Sequence, residues 1–249
     1  MSQAVASGPV KGTRPEGAAT EADASRKVRE MFTEIAPRYD LLNHLLSLQL
    51  DRVWRARTAQ RLRPILQRAD AVVLDLCCGT GDLAMALSKE GPARIIGADF
   101  AHTMLVRAKE KMTAQPFFEA DALRLPFRDG SFDLVTTAFG FRNLANYEAG
   151  LREIQRILKP GGTLAILEFM EPPDGLLGNL YRWYFRSVLP KIGALISGNS
   201  AAYSYLPKSV SRFFQPKDLA ALMDAVGYSA VEFQTWTMGT VALHTGRKL

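Results

Sequence analysis

One segment, residues 72–83, constrains the fold of this chain more than any other. It reads VVLDLCCGTGDL, an apolar run that contains Asp75 and is followed by a glycine loop. The apolar run is typical of a buried strand, and Gly79 and Gly81 allow left-handed backbone conformations and close approach of a ligand. Asp82 is suited to cap a helix that begins after the loop. The segment therefore predicts a strand, a ligand-binding loop and a helix.

The acids around this loop indicate the kind of ligand. A second predicted strand ends in Asp99, 18 positions after Gly81, and an acid at this distance accepts hydrogen bonds from the ribose hydroxyls of an adenosine. The two candidate cofactors with such a ribose are a nicotinamide dinucleotide and S-adenosylmethionine. Asp75 favours S-adenosylmethionine, because a carboxylate below the glycines can hold an α-ammonium group. Asp121 could accept from the adenine amino group, with the amide of Ala122 beside it.

The carboxyl-terminal part of the chain distinguishes the two cofactors. Strand-forming runs at 230–237 and 239–245 are too close together for a parallel crossover and predict an antiparallel hairpin. Segments 129–135 and 163–169 read as further strands, separated by an amphipathic helix that Lys-Pro-Gly-Gly at 159–162 ends. We therefore predict an α/β fold with a doubly wound, mostly parallel sheet and a C-terminal antiparallel hairpin. This arrangement fits an S-adenosylmethionine fold better than a dinucleotide fold.

Composition predicts the extent of the domain. With 249 residues, of which 47% are hydrophobic, the chain can form one large α/β domain, predicted over 25–249. Residues 1–24 are small and polar without periodicity and predict a disordered leader. Cys77 and Cys78 are the only cysteines and have no spaced Cys or His partners, so neither a disulfide framework nor a metal site is expected. We expect a cytoplasmic protein, because adjacent free cysteines suit a reducing compartment.

The net charge of +6 is unevenly distributed. Residues 175–212 carry five basic and no acidic side chains, interleaved with aromatic residues. Such a stretch suits anionic lipid, nucleic acid or an apolar substrate, and a solvated basic face over an aromatic core is the alternative. If these bases approached the inner face of the cell membrane, about 1 kcal/mol each would give weak, reversible attachment.

Several longer motifs resemble those of a known family. They are FTEIAPRYDLLN at 32–43, RVWR at 52–55, FGFRN at 139–143, RILKPGG at 156–162, LEF at 167–169 and YSYLPKSV at 203–210. From about Val28 to the C-terminus, the chain resembles the ubiquinone and menaquinone biosynthesis C-methyltransferases, the UbiE/MenG family. The resemblance implies the class I methyltransferase fold with a seven-stranded sheet, S-adenosylmethionine as cofactor and a polyprenylated quinol as substrate, with demethylmenaquinol favoured. The choice between a naphthoquinol and a benzoquinol ring stays open, as does the oligomeric state.

The resemblance also carries site residues by position. Those implied to contact S-adenosylmethionine are Thr80, Asp99, Asp121 and Ala122. Two positions depart from the family pattern. Ala138 lacks the hydroxyl of a serine that is common there, and Asp51 stands where a histidine often precedes the arginine.

Methyl transfer to carbon requires alignment, exclusion of water and an electron-rich acceptor. A quinol meets the last requirement once one hydroxyl loses its proton. Arg142 follows the fourth predicted strand, at the ligand-binding edge of a doubly wound sheet, and we expect its guanidinium to stabilise the phenolate or to position a water. Asn143 would fix that water or the second oxygen.

Two further regions are predicted to surround the substrate. Residues 25–68 form a helical lid that carries Tyr39 and Asp40, and Asp40 is the rival candidate for the base. An insertion at 175–212 would face the membrane and form a channel for the polyprenyl tail, although its apolar residues could equally be core. The predicted channel residues are Leu176, Leu180, Trp183, Phe185, Leu189, Ile192, Leu195, Ile196 and Leu206.

Three other functions remain as alternatives. They are a nicotinamide dehydrogenase, a methyltransferase acting on another small phenol, and a methyltransferase acting on nucleic acid. The last is not expected, because no Asn-Pro-Pro-Tyr type of motif follows the fourth predicted strand, where 139–143 stands instead.

Overall fold

The computed structural model describes residues 12–172, 174–184, 187 and 200–249. A seven-stranded sheet forms its centre. The strands are β1 (Val72–Leu76), β2 (Arg94–Asp99), β3 (Phe117–Glu119), β4 (Phe132–Ala138), β5 (Leu158–Phe169), β6 (Tyr228–Trp236) and β7 (Val241–Lys248). They lie in the order β3-β2-β1-β4-β5-β7-β6, and β7 is antiparallel to both of its neighbours. The predicted α/β class, doubly wound sheet and C-terminal hairpin are confirmed.

The strand order determines where a ligand can bind. The chain enters the sheet at β1, moves outward to β2 and β3, and returns to the other side of β1 at β4. This reversal places the carboxyl ends of β1, β2 and β4 side by side. Asp75 of β1 is in register with Gly97 of β2 and with Thr136 of β4. In doubly wound sheets, ligands bind in the crevice at this switch point.

Helices cover both faces of the sheet. They are α1 (Glu21–Ile35), α2 (Tyr39–Leu46), α3 (Leu50–Leu66), α4 (Asp82–Ser88), α5 (His102–Lys111), α6 (Tyr147–Ile157), α7 (Leu176–Trp183), α8 (Ser200–Arg212) and α9 (Pro216–Val226). One core layer contains Leu151 of α6 and Leu219 of α9, and the other contains Leu62 of α3 and Leu87 of α4. Each fully buried leucine contributes about 1.5–3 kcal/mol to folding, so both layers hold the sheet edge in a fixed shape.

The first helix begins earlier than its apolar pattern indicates. Thr20 accepts from the amide of Asp23, and the Asp23 carboxylate accepts from the amide of Thr20. This reciprocal capping box satisfies two amides that the first turn leaves free. The helix therefore starts at Glu21 rather than near Ser25.

The residues before this helix belong to the domain. The amide of Thr13 donates to the carbonyl of Leu144 across 2.8 Å, although 131 residues separate them in sequence. Gly12 is packed so closely that a Cβ there would lie 2.0 Å from the carbonyl oxygen of Ala145. The predicted disordered leader is therefore wrong for residues 12–24, which tertiary contacts hold in place. The rest of that prediction, residues 1–11, lies outside the described residues.

The insertion is described only in part. α7 and α8 fall within it, and Trp183 is 59% exposed. Of the predicted channel residues, Phe185, Leu189, Ile192, Leu195, Ile196 and the side chains of Leu176 and Leu180 lie outside the described residues, as do Arg186 and Lys191 of the five bases. Among the helices that are described, none has the length and apolar character needed to cross a membrane.

Candidate active site

The loops that follow β1 and β4 are pressed together. Cys77 and Phe139 stand at the ends of these strands with φ values of 54° and 59°. Such left-handed φ values are uncommon outside glycine and concentrate at functional sites. Gly140 permits the contact, because a Cβ there would lie 2.4 Å from the Cβ of Cys77. Above the two loops lies a cavity of ≈ 630 Å³, which we call the cofactor cavity.

The two predicted glycines have different positions. Gly79 lines the cofactor cavity and has a φ of 54°. Gly81 has a φ of 83° and directly precedes α4, where it turns the chain into the helix. A Cβ on Gly81 would lie 3.3 Å from the Cβ of Ala108 on α5. Gly81 is therefore placed for backbone geometry and helix packing, and it is not among the described residues that line the cofactor cavity.

Asp99 faces the cofactor cavity from the end of β2 with its carboxylate already oriented. Its Oδ2 accepts from the amide of Gly79 and its Oδ1 from the amide of Ala101, both across 2.9 Å. Burial raises the pKa of Asp99, although these two hydrogen bonds act to lower it. A carboxylate held in this way is suited to accept from the hydroxyls of a ribose.

Asp121 and Ala122 line the same cavity from the loop that follows β3. Oδ1 of Asp121 accepts from the amide of Leu123 across 2.9 Å, which orients the carboxylate. Together with Asp99 they give the cavity acceptors at two places, as an adenosine with a ribose and an exocyclic amino group requires.

Asp75 is completely buried below the glycine loop. Its Oδ1 accepts from the hydroxyl of Thr136 across 2.9 Å, whereas Oδ2 is buried and has no hydrogen-bond partner among the described residues. Burial raises the pKa of Asp75 to about 7, although the Thr136 hydroxyl acts to lower it. An unpaired buried carboxylate oxygen is costly, and an ammonium group would satisfy it. The residues present therefore fit the amino-acid end of S-adenosylmethionine as well as its ribose.

Thr80, which is predicted to contact the cofactor, and Asp40, a candidate base, contact each other. The Thr80 hydroxyl donates to Asp40. Nζ of Lys111 lies 2.6 Å from Oδ2 of Asp40 and 2.8 Å from Oδ1 of Asp82. We call Asp40, Thr80, Asp82 and Lys111 the lid clasp, because they join α2 to the glycine loop. Among the described residues, Asp40 is not part of the lining of either large cavity.

A second cavity of ≈ 1310 Å³ lies beside the first, and we call it the apolar cavity. Its apolar and aromatic lining residues include Met31, Ile35, Leu48, Leu50, Trp54, Phe169, Tyr184, Leu206 and Met238. Three side chains, Phe32, Tyr39 and Phe139, line both cavities. A cofactor in one cavity and a substrate in the other would therefore meet at these rings.

Aromatic contacts fix the wall between the cavities. The rings of Phe139 and Phe169 are stacked with centroids 4.4 Å apart. The indole of Trp54 lies 6.0 Å from Phe139 and 5.9 Å from Phe169, and its Nε1 donates to Oγ1 of Thr237 across 2.9 Å. Such clusters contribute packing energy beyond the buried area, so Phe139 has little freedom to move.

Arg142 is buried at the boundary of the apolar cavity. Its Nη1 lies 2.6 Å from Oε1 of Glu168, and its own amide donates to Oε2 of Glu168 across 3.1 Å. Burial acts to lower the pKa of Arg142, but Glu168 together with Tyr205 and Tyr39 raises it above its usual value. Nε donates to Ser209 across 3.3 Å, and the guanidinium carbon lies 5.6 Å from the centroid of the Phe169 ring. Nη2 makes no hydrogen bond to a described residue.

Asn143 and Tyr39 line the cofactor cavity, whereas Arg142 lines the apolar cavity. Asn143 lines the cofactor cavity, and its Oδ1 accepts from the hydroxyl of Tyr205 across 3.0 Å. The hydroxyl of Tyr205 also lies 2.7 Å from Oγ1 of Thr13. Tyr39 lines both cavities, and burial raises the pKa of its hydroxyl. The structure thus brings three of the four predicted catalytic residues, Tyr39, Arg142 and Asn143, to the boundary of the cavities.

The sequence interpretation did not assign roles to several residues of this boundary. Glu168, Trp54 and Phe139 occur in motifs that were quoted for the resemblance, and Tyr205 occurs in another. Their presence in these motifs could therefore have indicated that they belong to the site. What was missing was their mutual contact, which depends on how distant segments pack.

The position of Asp51 explains one departure from the family pattern. Its Oδ2 lies 2.7 Å from Nδ1 of His44, so an imidazole stands next to this position after all. A metal-like cluster results, because ligand atoms of His44, Asp51 and Asp82 lie within 4.8 Å of one another. Two basic side chains already compensate its carboxylates: Nη1 of Arg55 donates to Asp51 and lies 3.6 Å from Oδ2 of Asp82, and Nζ of Lys111 lies 2.8 Å from Oδ1 of Asp82.

Several solved structures have a similar fold, and some of them are described as methyltransferases. One is described as an S-adenosylmethionine-dependent methyltransferase, possible histamine N-methyltransferase, from Thermotoga maritima, with a TM-score of 0.62, 19% identity, and coverage of 88% of this chain and 99% of that one. Another is the [4+2]-cyclase SpnF, with a TM-score of 0.67, 16% identity, and coverage of 96% and 98%. At these identities the likeness concerns the fold, and it agrees with the predicted class I arrangement.

Sequence relatives give the closer comparison. The chain is 52% identical over 221 residues to the demethylmenaquinone methyltransferase of Thermus thermophilus, covering 87% of this chain and 99% of that protein. It is 48% identical over 231 residues to that of Deinococcus radiodurans, covering 91% and 94%. A model of the ubiE/COQ5 methyltransferase family matches residues 20–248. The protein is therefore an enzyme that belongs to the ubiE/COQ5 methyltransferase family.

Proposed function

We propose that this enzyme transfers the methyl group of S-adenosylmethionine to a ring carbon of a polyprenylated quinol, demethylmenaquinol in the first place. The observation that carries the proposal is the shared wall of Phe32, Tyr39 and Phe139 between a cavity with adenosine-type acceptors and a large apolar cavity. The names of the relatives described above agree with this substrate class.

The cofactor cavity and the space below the glycine loop would together hold S-adenosylmethionine through three acids. Asp99 accepts from the ribose hydroxyls, Asp121 with the amide of Ala122 holds the adenine, and Asp75 accepts from the α-ammonium group. When bound, S-adenosylmethionine would supply a methyl group on a cationic sulfur, and this sulfur would leave as a neutral thioether when the ring carbon attacks the methyl carbon in line. Tyr39 and Phe139 align the two reactants and exclude water from between them, which is the main contribution a protein can make to such a displacement.

Arg142 would activate the quinol. Its Nη1 is directed to Glu168, whereas Nη2, which donates to no described residue, would donate to a quinol oxygen. A guanidinium cannot act as a base at neutral pH. It can lower the pKa of the phenol and stabilise the phenolate in a cavity of low polarity. Asn143 would hold the water that removes the proton, and we assign Asp40 to the lid clasp rather than to proton transfer.

The polyprenyl tail would occupy the apolar cavity and leave it toward a lipid surface. Around its mouth, Leu48 and Met238 are 72% and 58% exposed while they also line the cavity. On the same lid, Leu41 and Leu45 are 61% and 46% exposed, one helical turn apart on α2. A bilayer is the occupant that suits these leucines, because it is where a substrate with a long apolar tail dissolves.

The test of the reaction gives the purified enzyme methyl-labelled S-adenosylmethionine and reduced demethylated naphthoquinols or benzoquinols in detergent. We expect label in the extracted quinol, with loss of one ring hydrogen. Comparison of the two ring types identifies the preferred substrate. Label in neither product overturns the proposal.

The test of the lipid surface uses sedimentation with vesicles of a zwitterionic lipid mixed with an anionic lipid. Leu41→Gln combined with Leu45→Gln should release most of the bound protein. Val106→Gln is the matched control, because Val106 is 46% exposed on α5. Equal binding by the double variant and the control would exclude this face.

A further inference from the structure

A small polar cavity of ≈ 310 Å³ extends from the cofactor cavity below the glycine loop. The two share four lining residues, which are Tyr39, Cys77, Gly79 and Ala138. The small cavity is also lined by Asp75, Thr80, Asp82 and Arg55. Arg55 is the one basic side chain among the described residues that line it.

We propose that Arg55 binds the α-carboxylate of the methionine end of S-adenosylmethionine. This inference rests on the proposed use of that cofactor. The methionine end carries an ammonium group and a carboxylate on one carbon. Asp75 provides the acceptor for the ammonium group, and the carboxylate then requires a donor within the same small space.

The guanidinium of Arg55 has donors left for this purpose. The residue is only 7% exposed. Its Nη1 donates to Asp51 and is 3.6 Å from Asp82, whereas Nε and Nη2 donate to no described residue. A guanidinium has five N–H donors in a planar fork that matches a carboxylate, so these two nitrogens are suited to donate to a carboxylate bound in the small cavity.

The charges around Arg55 support the same orientation. Arg55 acts to lower the pKa of both Asp75 and Tyr39, so its charge reaches the groups on each side of the small cavity. Asp51 is itself buried and accepts from the Ser47 hydroxyl across 2.6 Å. Asp51 therefore fixes the guanidinium at one end while the other end faces the cavity.

The position of Arg55 in the chain adds a consequence. It belongs to α3 of the lid, whereas Asp75, Gly79 and Thr80 belong to the sheet and its loop. Its ring contact with Phe139, at 5.4 Å, brings it to the wall shared with the apolar cavity. A carboxylate bound by Arg55 would thus join the lid to the glycine loop when the cofactor is present.

The test compares S-adenosylmethionine with its decarboxylated form, which keeps the sulfonium and the amine, by calorimetry of the whole protein without quinol. For the wild type we expect the decarboxylated form to bind about 10- to 100-fold more weakly, as the loss of a charge-assisted hydrogen-bonded pair predicts. In Arg55→Met, S-adenosylmethionine should weaken by the same factor and the decarboxylated form by less than about threefold. Arg55→Lys should keep part of the discrimination, because it retains the charge without the fork.

Arg61→Met is the matched control, since Arg61 lies on the same helix, is exposed and pairs at 3.7 Å only with exposed Glu232 in the described structure. Arg61→Met should prefer S-adenosylmethionine over the decarboxylated form by the same factor as the wild type. Equal binding of both donors by the wild type, or an equal loss for both donors in Arg55→Met, overturns the assignment. If Arg55→Met does not fold, the wild type and Arg55→Lys still decide. If the protein binds S-adenosylmethionine more tightly than the decarboxylated form but methylates no quinol, the proposed function is overturned, whereas the assignment of Arg55 to the carboxylate stands.

Discussion

Nη1 of Arg142 lies 2.6 Å from Oε1 of Glu168, and both side chains are buried, Glu168 completely. The pair joins the loop after β4 to the end of β5, directly beside the apolar cavity. Glu168 therefore has two effects. It compensates the buried charge of Arg142, and it orients the guanidinium that is proposed to contact the quinol.

The kinetic prediction concerns Arg142→Met. Turnover should fall by about 10²- to 10³-fold, as when an electrostatic stabiliser of developing negative charge is removed, while the dissociation constant of S-adenosylmethionine changes by less than about threefold. Steady-state turnover and calorimetry measure the two quantities. Arg152→Met, at an exposed pair with Glu148 on α6, is the control and should leave both unchanged. Equal losses in turnover and cofactor affinity would indicate a structural role instead.

The stability prediction concerns Glu168→Leu. Removing one partner leaves a buried charge without compensation, so the free energy of unfolding should fall by about 3–5 kcal/mol. The double variant Glu168→Leu with Arg142→Met should recover a large part of this loss, because it buries no charge. Urea unfolding of the four proteins gives the coupling energy. Additive losses would contradict a direct interaction between the two side chains.

Two buried groups should give opposite dependences of stability on pH. Asp75 has a pKa of about 7 in the folded chain because of burial and about 3.9 when unfolded, so its contribution to the free energy of unfolding rises as pH falls across this window. His244 has a folded pKa of about 4, again because of burial, against about 6.5 when unfolded, so its contribution falls over nearly the same window. Each group changes the free energy of unfolding by up to about 1.4 kcal/mol per pH unit. Because the two changes have opposite signs over nearly the same window, they almost cancel.

Variants of the unliganded protein separate these contributions. Relative to the wild type, Asp75→Asn should lose about 3 kcal/mol of unfolding free energy between about pH 7 and pH 4.5, because only the His244 contribution remains. His244→Gln, which can still donate to the carbonyl of Pro216, should change in the opposite direction. Urea titrations at a series of pH values measure both. Curves parallel to that of the wild type would contradict the assigned pKa values.

The lid clasp predicts an effect on cofactor release. Lys111→Met removes the cation that lies within 3 Å of Asp40 and Asp82. Because these groups are partly exposed, we expect the loss of the ion pairs to destabilise the closed lid by about 1 kcal/mol. This corresponds to about a fivefold faster dissociation of S-adenosylmethionine in stopped-flow measurements. Lys109→Met is the control on the same helix, since its Nζ binds only the carbonyls of Thr113 and Gln115 among the described residues. Identical dissociation rates for both variants would exclude the clasp.

Local patterns predicted the framework of the site well. The apolar run of β1, the acid at the end of β2 and the short connection in the C-terminal hairpin each depend on neighbours in sequence, and the structure has all three. Asp99 and Asp121 could be found in this way, because an acid that follows a parallel strand must lie at the carboxyl edge of the sheet.

Long-range contacts could not be predicted in the same way. Composition alone assigned residues 12–24 to a disordered leader, whereas the amide of Thr13 is fixed by Leu144. Thr80 was assigned to the cofactor by resemblance, and the contact of its hydroxyl with Asp40 on the lid could not be predicted. The distances that decide these positions are set by how helices from the beginning of the chain pack over loops from its middle, which no local periodicity records.

The hydroxyl of Tyr205 connects Thr13 with Asn143, so the stretch ahead of α1 takes part in arranging a residue of the active site. An expression clone trimmed to start at the capping box would retain every motif of the family and still lose this support. Asn143 would keep the hydrogen bond from Tyr205 and the longer one from its own Nδ2 to the carbonyl of Phe139, at 3.4 Å, whereas Tyr205 would lack one partner. Low activity of such a shortened protein would then result from the missing residues and not from the chemistry of the enzyme.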